Sequence, residues 1–168
     1  MSSRSHHCES ARMHVNLTHG AHQHLRLRDI AIAQYGVVSH AQVEALGITR
    51  GAIRSQVAAG RWTVLSPGVY LAINGRPGKG SQLWAALLAS GDGAVLSHWT
   101  AAEMHGFGRP RSGLIEVSIP AERQEVSVPG VRVRRSRLLP AKGMICDDWP
   151  ITTPADTVLD LVGEVKSP

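Results

Sequence analysis

The sequence has no apolar run approaching the ~18 residues that a bilayer-spanning helix needs. Its first twenty residues are polar and histidine-rich, so neither a membrane span nor a secretory signal peptide is expected, and a cytoplasmic location follows. Cysteine is scarce. Cys8 and Cys146 are the only two, too few for a disulfide framework, and both are expected as reduced thiols. Metal-ligand spacing is missing as well: His6-His7-Cys8 is a short His/Cys tract, but no C-x-x-C with paired histidines accompanies it. The Gly75–Gly80 stretch is no phosphate loop, because Gly80 follows Lys79 where the Walker pattern requires Ser or Thr. No cofactor and no metal site is expected.

Acidic residues are also sparse, but only in the first half. Residues 1–79 hold nine Lys/Arg against three acids, whereas the remainder holds nine against ten. All the net positive charge therefore lies in the first half, which points to a polyanion there and a different task for the second half.

The chain organises into four segments. Residues 1–24 read as a disordered, His-rich tail carrying six of the nine histidines, with Met13 as a second candidate start. Residues 25–73 begin with a short helix through Leu25, Leu27, Ile30 and Ile32 that stops at Tyr35-Gly36. Val37-Val38 leads to Ser39, an N-cap for a second helix from His40 to Leu46. After the Gly47-Ile48 turn, Thr49 caps a third helix, Arg50 to Ala59, with Ile53 and Val57 facing inward. Arg61–Leu65 and Val69–Ala72 then form a hairpin around Ser66-Pro67-Gly68. Helix, helix, tight turn, helix and hairpin is the element order of a winged helix-turn-helix.

Residues 74–80, rich in glycine and proline, read as a linker. Residues 81–168 read as a small α/β domain. Ser81 is expected to cap a helix over Gln82–Ala89, Ala94–Leu96 to form a buried strand, and Ser97 to cap a helix reaching His105. Leu114–Ile119 and Val131–Arg135 alternate as strands, and Pro154 starts a last helix over Ala155–Val162. The expected fold class is α/β (α+β), a winged helix followed by a small α/β domain truncated at its C-terminus.

The expected DNA-binding residues are Thr49, Arg50, Arg54, Ser55, Arg61 and Trp62. Arg50 and Arg54 are read on the face opposite Ile53 and Val57, beside small Gly51 and Ser55, so that cations and short polar groups can enter a major groove. Arg61, next to Trp62, puts a cation on the wing, and Arg26 and Arg28 add to the field. Arg132 and Arg134 share one face of a strand and read as an exposed polar sheet face. No catalytic residue is expected. His98 and Glu103 lie roughly 140° apart around a helix, and His98 with His105 lacks a third ligand, so capping and core packing account for them. Glu164-Val165-Lys166 matches the tail of a nuclease (D/E)-x-K pattern with no strand around it, which chance explains.

Three blocks, Tyr35–Gln42, Gly47–Arg54 and Gly60–Tyr70, resemble the N-terminal winged-helix domain of AbiEi-type antitoxins. Leu96–Gly106 and Ile151–Leu161 resemble the middle segment of the same proteins. The resemblance implies a DNA-binding antitoxin of a type IV toxin-antitoxin system, one that represses its own promoter on double-stranded DNA. It further implies an opposing nucleotidyltransferase-like toxin and no cofactor. Similar segments precede very-short-patch-repair-like endonuclease domains, so the alternative is the regulatory front of such an enzyme without its catalytic domain.

Overall fold

The computed structural model describes residues 21–109, 113–139, 145–146 and 148–165. The tail residues through 20, with Cys8, and Lys166 near the other end lie outside them. Helix α1 spans residues 21–33, so His22 and His24, expected in the tail, are helical. It is followed by β1 (Val37–Ser39), α2 (His40–Ala45), α3 (Arg50–Ala58), β2 (Thr63–Ser66) and β3 (Val69–Leu71). The three strands pair antiparallel in the order β1-β3-β2. This is the winged-helix arrangement, with the β2–β3 hairpin as the wing.

Strand β1 was not expected, and its burial explains why. Val37 and Val38 are both fully buried, on opposite faces of the sheet. Val38 packs with Leu27, Val43, Ile53 and Trp62 of the helical side. Val37, with Val69 and Leu71, packs against the helix that follows the wing. A strand covered on both faces carries no polar alternation to read.

That helix is α4 (Lys79–Ser90), which starts two residues before the expected capping residue, with Gly78 at the N-cap. Ser81 does not cap it; its hydroxyl donates instead to the Tyr35 carbonyl at 2.7 Å. Helix α4 is apolar on two sides. Trp84, Ala85, Leu88 and Ala89 face the winged-helix sheet. Leu83, Ala86 and Leu87 face the core of the second unit, as the 100° helical step dictates.

The second unit comprises β4 (Val95–Leu96), α5 (His98–Met104), β5 (Ile115–Pro120), β6 (Val131–Ser136), β7 (Ile145–Cys146), β8 (Trp149–Pro150) and α6 (Pro154–Val165). Strand β5 is central, antiparallel to β4 and parallel to β6. Ile151 bridges to Leu96 and joins Val117, Ile119 and Val133 in the core. The β7–β8 pair, including backbone at Cys146, replaces an expected loop. Helix α6 runs three residues beyond its expected end.

An aromatic stack closes the junction between the two units. Trp149 lies between Tyr35 and Trp84, with ring centroids 5.2 and 5.5 Å away. Tyr35 holds a left-handed φ of 52°, and its ring lies where a Cβ on Gly80 would come within 2.4 Å. Only glycine fits at position 80.

Each leucine or valine fully buried in this junction is worth about 1.5–3 kcal/mol, so the halves should stay together without a covalent link. A protease site inserted between Asn74 and Gly75 falls in open loop, where nothing approaches the Gly75 Cβ position. After cleavage the fragments should co-elute in native size-exclusion chromatography and separate only in denaturant. Separate native elution would mean that α4 does not hold the winged helix.

Candidate nucleic-acid interface

Helices α2 and α3 are set by their caps. Ser39 and Gln42 form a reciprocal capping box, with Ser39 N–H donating to Gln42 Oε1 at 2.9 Å and Gln42 N–H to Ser39 Oγ at 3.2 Å. Thr49 Oγ1 accepts from Ala52 N–H at 3.3 Å, so the Thr49 hydroxyl serves the start of α3. Ile53 is the buried anchor of α3, with Val57 packed beside it.

The exposed side of α3 differs from the sequence expectation. Counting 100° per residue from Ile53, Gly51, Ser55 and Ala58 lie within about 40° of the opposite line, Arg54 about 100° round and Arg50 only about 60°. Arg50 and Arg54 therefore flank the outward line instead of forming it. All five are exposed.

Two of the three expected cations are held. Arg50 Nε donates to Glu44 Oε1 at 3.0 Å, and the same oxygen takes His40 Nε2 at 3.2 Å. The Arg50 hydrogen bond is the largest influence holding the Glu44 carboxyl below its ordinary range. Arg61 Nε donates to Gln56 Oε1 at 2.6 Å, while Gln56 O accepts from the Arg61 and Trp62 amides. Gln56 thus ties the wing to the end of α3. Arg54 has no such partner among the described residues. Trp62, expected at the DNA surface, is only 9% exposed, with its ring 6.0 Å from Tyr70. It supports the wing from beneath. Glu44 and Gln56 were missed, although Gln56 lies five residues before Arg61 and one turn after Ala52.

The second unit spends its polar residues internally. Glu116 is fully buried and accepts from Trp99 N–H at 2.9 Å and from Arg132 Nη1 at 3.2 Å. Glu164 accepts from Trp99 Nε1 at 3.0 Å and pairs with Arg134. Arg132 and Arg134 are thus a clasp between β5, β6 and α6, not a free polar face. The other candidates scatter. Glu103 pairs with Lys79, and His105 Nε2 meets Thr152 O at 2.8 Å. His98 Nδ1 lies 3.0 Å from Ser97 Oγ and 3.8 Å from Asp160 Oδ2. Both partners sit at one ring nitrogen, whereas a proton relay needs them at opposite ones. Ser97 itself is fully buried and makes no side-chain cap. Among the described residues no group of three or more His, Cys, Asp or Glu side chains could hold a metal, and no helix is long and apolar enough to cross a membrane.

A three-stranded winged helix with cations on its third helix and wing, joined to an α/β unit, defines a regulator of the winged helix-turn-helix class. Residues 25–73 match the family model described as transcriptional regulator, AbiEi antitoxin. Residues 93–168 match that of the AbiEi antitoxin C-terminal domain. Together the two matches span most of the chain, which belongs to the AbiEi antitoxin family. Neither description names an enzyme. No curated protein matches the chain.

His98 supplies a pH test. Burial lowers its imidazole below the ordinary value, partly countered by Asp160, while burial raises the Asp160 carboxyl. As pH falls below about 6.5, unfolded chains gain the histidine proton first, so the native state loses stability. Asp160 works the other way: its penalty builds above the ordinary carboxylate range and eases as pH falls through its raised value. His98→Asn keeps a residue that tolerates the φ of 50° and removes the imidazole. Urea midpoints from pH 7.5 to 5.5 should fall for the parent relative to His98→Asn. Parallel profiles would contradict the buried, neutral histidine.

Proposed function

We propose that the chain is a sequence-specific repressor acting on its own promoter, a cytoplasmic antitoxin opposing a nucleotidyltransferase-like toxin and needing no cofactor. Membership of the antitoxin family supports the regulatory role. The observation that carries the DNA-binding reading is the cationic flank of α3 beside the wing. Arg54 is free to donate its guanidinium fork, while Arg50 and Arg61 are pre-positioned by Glu44 and Gln56. In this reading α3 enters the major groove, Arg54 meets a base edge, Arg61 meets phosphate, and Thr49 and Ser55 lie along the approach. The antitoxin C-terminal match over residues 93–168 favours this reading over the front end of a nuclease.

Binding to the upstream promoter across a salt series tests it. Arg61→Ala should weaken binding to every sequence and flatten the plot of log affinity against log salt by about one unit. Arg54→Ala should cost about 1–3 kcal/mol, chiefly on the preferred site. A folded Arg50/Arg54/Arg61 triple alanine variant that binds as tightly as the parent would sink the assignment.

Glu44 gives an independent check, because it places a negative charge beside Arg50 on the proposed DNA side. Glu44→Gln removes that charge and releases Arg50, so binding to non-specific duplex should tighten and the salt slope steepen. Weaker binding, with the fold intact, would place Arg50 away from phosphate.

A further inference from the structure

The outward line of α3 is unusual for a surface expected to read bases, because it is nearly bare. Gly51, Ser55 and Ala58 supply between them one hydroxyl and one methyl, and all are exposed. A Cβ at Gly51 would meet nothing nearer than the Thr49 hydroxyl at 3.8 Å, so no internal packing demands glycine there. Glycine inside a helix is disfavoured relative to alanine, and here its absent side chain leaves the helix backbone open to close approach. Beside this line stands Arg54, without a partner among the described residues, while Arg50 and Arg61 are engaged at Glu44 and Gln56.

We infer that α3 reads its half-site by close contact with thymine methyl groups along Gly51, Ser55 and Ala58, with Arg54 reading one adjacent guanine. The inference rests on the DNA-binding reading above and gives that interface its base chemistry. Each base pair shows a distinct pattern in the major groove, and the thymine C5 methyl is its apolar feature. A bare line offers that methyl a close-fitting surface. It offers almost no hydrogen-bond donors to distinguish cytosine or adenine. The Arg54 fork matches the O6 and N7 acceptors of guanine. The half-site should therefore hold one G·C pair flanked by A·T pairs whose thymines face α3.

The experiment starts with the full chain and selection from a randomised duplex library, followed by chemical substitution in the selected site. Replacing a contacted thymine by uracil removes only the methyl and should weaken binding about fourfold. Replacing the guanine by 7-deazaguanine removes N7 and should weaken parent binding about tenfold, yet change little for Arg54→Ala. Gly51→Leu fills the open line without an internal clash, so it should keep the thermal midpoint while losing more than tenfold in specific affinity.

The outcomes separate the two readings. No binding to any duplex removes the DNA-binding reading and this one with it. Binding without sequence preference overturns this inference alone. So does a preferred site at which every uracil substitution is neutral, or a folded Gly51→Leu variant that binds like the parent.

Discussion

Burial of α4 on two sides is the constraint on which the rest of the architecture depends. A three-stranded sheet of three- and four-residue strands has little area to fold on, and its valines point both ways. Helices α1 to α3 cover one face. Without α4 on the other, Val37, Val69 and Leu71 would be left in water. The same helix supplies Leu83, Ala86 and Leu87 to the second core, so each unit completes the other. The segment after the wing, rich in glycine and proline, thus connects parts of one packed body.

Within that frame the presumed DNA face is prepared by neutral and acidic neighbours as much as by its cations. Long arginine side chains lose considerable rotamer freedom when they are held at a ligand. Glu44 and Gln56 restrict Arg50 and Arg61 beforehand, at the two ends of α3, and leave Arg54 mobile in the middle. Exposed pairs of this kind add little to folding stability. Their value lies in orientation. In the second unit the balance is reversed: Glu116, Glu164, Arg132 and Arg134 are closed upon one another and hold α6 to the sheet.

Much of the winged helix was legible because its signals are local. Ser39 and Thr49 act as caps within three residues of their targets, and Ile53 with Val57 shows the helical period. What failed to show depends on contacts from afar. Ser81 has the sequence position of a cap, but the Tyr35 carbonyl, 46 residues away, takes its hydroxyl. Alternation put Arg132 and Arg134 on one face correctly, yet it could not reveal that Glu164 arrives against them from α6. Trp62 beside an arginine looked like wing surface, and only the sheet's curvature over the helices turns it inward. The two-residue strands β7 and β8 are too short to carry any period.

The Tyr35–Trp149–Trp84 stack bears on how such a protein can be inherited. Its members come from the turn after α1, from β8 and from α4, and the fit requires glycine at position 80. Gene recombination that exchanged the winged helix alone would bring a new turn against an old helix. The incoming tyrosine would need the same backbone angle and the same glycine opposite. The first and second halves are therefore poor candidates for independent shuffling between lineages. They should travel as one cassette, with the boundary for a workable chimera lying outside α4 and not in the glycine-rich loop before it.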